Sequence, residues 1–86
     1  MTAHIPSALR SYTAQQGEVQ AEGATLAAVL TDLDRRFPGL RFRIITEQDT
    51  IRQHMRIFVN GAQVAHLAVP VRPHDQIHIV CALSGG

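Results

Sequence analysis

The chain has no lysine and no tryptophan, and only one cysteine, one tyrosine and three phenylalanines in 86 residues. A single cysteine excludes an intramolecular disulfide framework and suits a cytoplasmic protein. It also excludes a plant-type iron–sulfur cluster, which takes four cysteine thiolates. All eight basic residues are arginine, so no side-chain amine is offered for isopeptide attachment. That composition fits a carrier that must not react with its own copies; drift toward arginine explains it equally well. Aromatic content is 5% and net charge +1, too little for a nucleic-acid platform. No apolar run approaches the roughly 20 residues of a membrane-spanning helix. Residues 1–6 lack the basic and apolar regions of a signal peptide.

Catalytic signatures are missing too. The sequence shows no paired-carboxylate site, no Gly-rich phosphate loop and no Ser/His/Asp set, which argues against an enzyme. Cys81 alternates with Ile77 and Ile79, so it reads as a core-facing thiol acting as a small hydrophobe. The five histidines do not make a metal site. His74 and His78 are four apart in a turn-then-strand context, which leaves their Cα atoms about 13 Å apart. His4, His54 and His66 have no ligand spacing to anything. Scattered surface histidines are the expectation.

What is present is a globular composition, 45% hydrophobic and 17% charged, at a length that makes one domain, residues 1–86. Ala3 and Ile5 alternate with Thr2 and His4, a short strand ended by Pro6. Leu9 and Tyr12 follow in what reads as an irregular loop over the core. Val19 and Ala21 face inward from a second strand, so the two runs form a hairpin. Thr25 is a helix N-cap. Leu26, Val29, Leu30, Leu33 and Phe37 then give one apolar face, with Asp32, Asp34, Arg35 and Arg36 off it, and Pro38-Gly39 ends the helix. Residues 40–54 fit a short helix or an extended stretch. Their arginines, with Arg56, are a solvated face or a patch that steers docking onto an acidic partner.

Met55–Val59 is a strand, and Asn60-Gly61 turns it back into Gln63–Leu67. Val69 and Val71, broken by prolines, read as loop or edge, and residues 73–75 as a turn. The last strand carries Ile77, Ile79, Cys81 and Leu83 on one face and His78, Val80 and Ala82 on the other. Both faces look apolar, which predicts a central strand covered on both sides. The order β-β-α-(irregular)-β-β-β points to an α+β domain of β-grasp type, a mixed sheet with one main helix on one face.

That strand runs into Ala82-Leu83-Ser84-Gly85-Gly86, read as a flexible tail over residues 83–86. Glycine has no Cβ, so a Gly-Gly end is thin enough to thread a narrow channel. The carboxylate of Gly86 is ionised at neutral pH and is a poor electrophile until activated, for which an acyl-adenylate made from ATP suffices. The chain would then be a substrate and need no catalytic group of its own. A frayed end is the alternative, and the organisation upstream favours the presented arm.

Ile5-Pro6-Ser7-Ala8-Leu9-Arg10, Phe37-Pro38-Gly39-Leu40, Ile57-Phe58-Val59-Asn60-Gly61 and the terminal Ala82–Gly86 together resemble the ThiS/MoaD family of ubiquitin-like sulfur carriers. They look most like its branch serving cysteine biosynthesis or specialised metabolites. Two departures are Ser84, where the family often has Ala, and Pro73-His74-Asp75, which keeps only the Asp of an Asp-Gly-Asp turn. The resemblance implies that Gly86 is adenylated by a ubiquitin-activating-type adenylyltransferase, with ATP used by that partner and no cofactor bound here. It implies conversion to a thiocarboxylate and sulfur transfer to a biosynthetic enzyme. Gly85, Ser84, Leu83 and Ala82 would be the tail presented, with Phe58 on the neighbouring docking surface. Conjugation through Gly86 as a protein modifier, and a non-conjugating interaction module, are the alternatives.

Overall fold

The computed structural model describes residues 1–82. The elements are β1 (Thr2–His4), a 3₁₀ helix (Ser7–Thr13), β2 (Glu18–Gln20), α1 (Leu26–Arg36), α2 (Leu40–Ile44), β3 (Met55–Val59), β4 (Ala62–Val64) and β5 (Gln76–Cys81). The five strands form one sheet in the order β2-β1-β5-β3-β4. β1 and β5 run parallel; the other pairs are antiparallel. The last strand is therefore the middle of the sheet, as its sequence predicts.

Alternation decides which face of each strand is buried. Ala3, Val19, Met55, Ile57, Ile77 and Ile79 point to one side. There they meet Leu26, Val29, Leu30 and Leu33 of α1, all fully buried in the same apolar cluster. The expected segment Leu9–Tyr12 is ordered as the 3₁₀ helix, with Leu9 buried and Tyr12 half-buried. Residues 40–54 resolve into α2, whose Leu40 and Ile44 are buried, and a small Thr46–Thr50 turn behind the Ile45–Ile51 bridge.

The first three N–H groups of α1, which have no partner in the helix ladder, are all satisfied. Leu26 N donates to Val69 O at 2.9 Å and Ala27 N to Leu67 O at 3.0 Å. Ala28 N donates to Thr25 Oγ1 at 3.2 Å, the expected cap, and Val29 N to Thr25 O at 3.0 Å. The segment from Leu67 to Val71 is thereby a strap over the helix start rather than a free loop. This explains why β4 stops at Val64 instead of running to Leu67. Gly23 lies under the same turn. A Cβ there would come within 2.7 Å of Val29 N, so only glycine lets the chain pass.

Two expectations need correction. β5 is not covered on both sides: Ile77 and Ile79 are buried, but Gln76, His78 and Val80 are exposed. One helical layer can cover only one face, and Val80, at 40% exposure, is a lone aliphatic on the open side. Asp32 does not lie off the apolar face of α1 but is buried, 7% exposed. It accepts from Glu22 N at 2.9 Å, from Arg36 Nε at 2.8 Å and from Arg35. A carboxylate tolerates that burial because both its oxygens accept hydrogen bonds and two guanidinium groups neutralise its charge.

Candidate functional site

The candidate site is the downstream end of β5 and the open sheet face beside it. β3 holds the strand on one side through five register pairs, from Met55↔Cys81 to Val59↔Ile77. β1 supplies three more on the other side, Thr2↔Gln76 to His4↔His78. The pairing continues one residue past the strand, where Ala82 N donates to His54 O at 2.7 Å. Ala82 is half-buried. Leu83, Ser84, Gly85 and Gly86, the rest of the sequence-predicted site, lie outside the described residues.

Phe58 is brought next to β5. It is half-buried, faces the open side and pairs with His78. The registers extend this into one cross-strand row: Gln63, Phe58, His78, His4 and Glu18, contributed by β4, β3, β5, β1 and β2. His4 and His78 are stacked, ring centroids 4.0 Å apart and planes within 1°. His4 also meets Gln76 Oε1 at 2.7 Å and lies 3.9 Å from Glu18 Oε1. These two histidines are therefore not scattered, and local spacing gave no sign of it, because parallel pairing of the first and last strands joins residues 74 apart in sequence. Parallel planes keep the ring lone pairs side by side instead of converging on one ion. Among the described residues no group of three or more His, Cys, Asp or Glu is placed to hold a metal.

Polar side chains fix the upstream end of β5. Asn60 Nδ2 donates to Asp75 Oδ1 at 2.8 Å, and Gln76 N donates to Asn60 Oδ1 at 2.9 Å. Arg72 N donates to Asp75 Oδ2 at 2.8 Å. The amide of Asn60 and the backbone of Arg72, in that order, hold the Asp75 carboxyl below its ordinary range. Asn60 (φ 51°) and Gly61 (φ 87°) both adopt the left-handed conformation the two-residue turn requires. That turn thus closes one hairpin and clasps the next strand at once.

The downstream end has a different character. Arg52 and Arg56 donate to backbone carbonyls, Arg52 Nε to Phe42 O at 2.7 Å and Arg56 to Gln53 O and Met55 O at 2.7 and 2.8 Å. Arg52 also lies 4.6 Å over the ring of Phe42. Cys81 is half-buried against the core, as its alternation predicts.

Comparison with known proteins places this architecture. The model of the ThiS family matches residues 4–86. The sulfur carrier protein CysO of Mycobacterium tuberculosis is 33% identical over 91 residues, covering 100% of this chain and 98% of the relative. The crystal structure of M. tuberculosis CysO superposes with a TM-score of 0.91 at 31% identity, over 95% of this chain and 98% of that one. The Amycolatopsis orientalis BexX/CysO complex contains a chain matching with a TM-score of 0.92 at 30% identity, over 99% and 98%. SAMP1, the small archaeal modifier protein of Haloferax volcanii, shares the fold at a TM-score of 0.79 and 23% identity, over 100% and 98%. With a β-grasp sheet, a central last strand and a family match reaching its final glycine, the chain belongs to the ThiS family.

Proposed function

We propose that this chain is a sulfur carrier that works at the carboxylate of Gly86. The observation that carries the reading is the position of β5. It is the central strand, paired on both sides and continued by the Ala82 N to His54 O bond, so whatever follows Ala82 leaves from the hydrogen-bonded middle of the sheet. Four extended residues reach at most about 14 Å, enough to enter another protein's cleft.

The chemistry balances without a catalytic group in this chain. The Gly86 carboxylate oxygen attacks the α-phosphorus of ATP and pyrophosphate leaves, giving an acyl-adenylate. A sulfur nucleophile attacks the carbonyl carbon and AMP leaves. With sulfide as that nucleophile the product is a thiocarboxylate, whose soft sulfur attacks an electrophile held by a biosynthetic enzyme and displaces its leaving group. Hydrolysis of the acyl–sulfur bond then leaves the sulfur on the acceptor and restores the Gly86 carboxylate. The catalytic groups and the ATP site belong to an adenylyltransferase of ubiquitin-activating type. The Amycolatopsis relative is seen in complex with BexX; for this chain the second partner is a biosynthetic enzyme that accepts the tail. Leu83, Ser84 and Gly85 would thread the partner's channel. Phe58, on the open face beside β5, would pack against its surface. Reaction in the cytoplasm accords with the single cysteine, and no helix among the described residues is long and apolar enough to cross a membrane.

The test is intact-mass measurement after incubation with the adenylyltransferase, ATP and a sulfide source. The expected product has one C-terminal oxygen replaced by sulfur. Adducts on lysines of other proteins, with no such exchange, would instead mean a protein modifier.

A further inference from the structure

The eight arginines are not equivalent. Arg35 and Arg36 are neutralised by Asp32, and Arg41 by Asp49 at 3.0 Å. Arg10 donates to Ile5 O and lies against Gly17. Arg10, Arg43, Arg52, Arg56 and Arg72 have no carboxylate within ion-pair distance among the described residues; of these, Arg43, Arg52 and Arg56 are grouped around two adjoining hollows. The carbonyls that Arg52 and Arg56 engage orient their guanidinium groups without cancelling charge.

These three converge on one corner. Phe42, Arg43, Arg52 and His54 line a hollow of about 180 Å³. Arg52 is also a wall of a second hollow of about 180 Å³ that includes Met55 and Arg56. His54 is the residue whose carbonyl holds Ala82, and Arg56 pairs with Val80 on the open face. The corner is therefore the exit of β5. Phe42 stands there 56% exposed. The acidic residues of this region lie around a different hollow: Asp34, Glu47 and Asp49, with Arg41 between them. Charge is thus sorted across α2, with guanidinium groups on the side where the tail departs.

We propose that Arg43, Arg52 and Arg56 form a cationic collar that docks an acidic strip on the adenylyltransferase, flanking the cleft that the tail enters. This rests on the carrier reading above and adds the chemistry of the surface recognised. Charge complementarity carries the choice of partner: three uncompensated guanidinium groups select clustered Asp and Glu carboxylates, which Arg binds in bidentate fashion. Nucleic acid is disfavoured, because the net charge is only +1 and high-affinity phosphate binding uses roughly 6–10 contacts. Such a collar acts mainly on encounter rate and on salt dependence.

The experiment measures kcat/KM for ATP-dependent loading of the full chain over a range of salt concentrations. Three proteins are compared: the natural sequence, the double variant Arg43→Glu/Arg56→Glu, and Arg72→Glu. Arg72→Glu makes the same kind of charge reversal near the opposite end of β5, about 20 Å away at 3.3 Å per residue. Circular dichroism melts establish that each is folded. The double variant is expected to lose about 10-fold or more at low salt, with a flattened salt slope; Arg72→Glu is expected to stay within about 2-fold, since only charges within a Debye length of the contact act strongly. Equal losses in the two, or a folded double variant that loads like the natural chain at every salt, would overturn the collar and leave the carrier reading intact. A natural chain that is not loaded at all would mean that the carrier reading itself fails, and the collar with it. Retardation of a single-stranded oligonucleotide by the natural chain, lost in the double variant, would reassign the patch to nucleic acid.

Discussion

The two ends of β5 are held in different ways. Upstream, side chains do the holding: Asn60 and Asp75 clasp each other and the first amide of the strand. Downstream, backbone does it: Met55 pairs with Cys81 and His54 O accepts from Ala82 N, while Arg52 and Arg56 nearby engage only backbone carbonyls outside β5. A strand anchored by side chains at its start can hand on its end without rearranging the core. Side chains at the exit are then available for recognition.

The middle of β5 belongs to both ends, so damage there should be largest. Ile77 is fully buried between α1 and the sheet, and Ile77→Ala is expected to cost about 2–5 kcal/mol in chemical denaturation. A cost near zero would mean that the central packing is wrong. At the upstream end, Asn60→Ala places in the left-handed region an alanine, which lacks the local hydrogen bonding that lets Asn adopt that conformation, and removes the clasp. It should cost on the order of 1–2 kcal/mol and speed amide exchange at Gln76 more than at Ala82. Uniform acceleration along β5 would show that the ends are not independent.

Acid provides a graded version of the same contrast. Asp75 is held low chiefly by the Asn60 amide, and Asp32 chiefly by the Glu22 backbone N–H, with burial opposing and Arg35 and Arg36 assisting. Both carboxyls have folded values below their unfolded value of about 3.9. Their contribution is therefore fully present above that value and lost as pH falls through the lower folded values. Stability should decline on acidification through and below about pH 4, and Asp75→Asn and Asp32→Asn should each flatten the decline. A slope unchanged in both variants would contradict the assignment. The smallest effect is expected at the exit. His54→Ala keeps the carbonyl that holds Ala82 and should change stability by less than about 0.5 kcal/mol, with Ala82 amide protection retained.

Local patterns made much of this legible. The heptad-like face of α1, the Thr25 cap, the Asn60-Gly61 turn and the alternation of Ile77, Ile79 and Cys81 each depend on residues a few positions apart. What escaped depends on distant partners. Asp32 looked solvated because the amide it captures, Glu22 N, lies ten residues upstream. His78 looked like part of a covered face because only the layer count reveals that nothing lies above it. The stacking of His4 on His78 required a parallel register between the first strand and the last. For the candidate site, the sequence identified the strand and the outward position of Phe58 but not the sorting of arginines around the exit, which follows from α2 turning Arg41 and Arg43 to opposite sides.

Removing Gly86 separates scaffold from working group more cleanly than any other change. The shortened chain should melt at the same temperature as the full chain, because Ala82 and everything before it stay paired. It should accept no sulfur from the adenylyltransferase, ATP and sulfide. A shortened chain that is loaded and supports sulfur transfer as well as the full one would contradict the account at its centre.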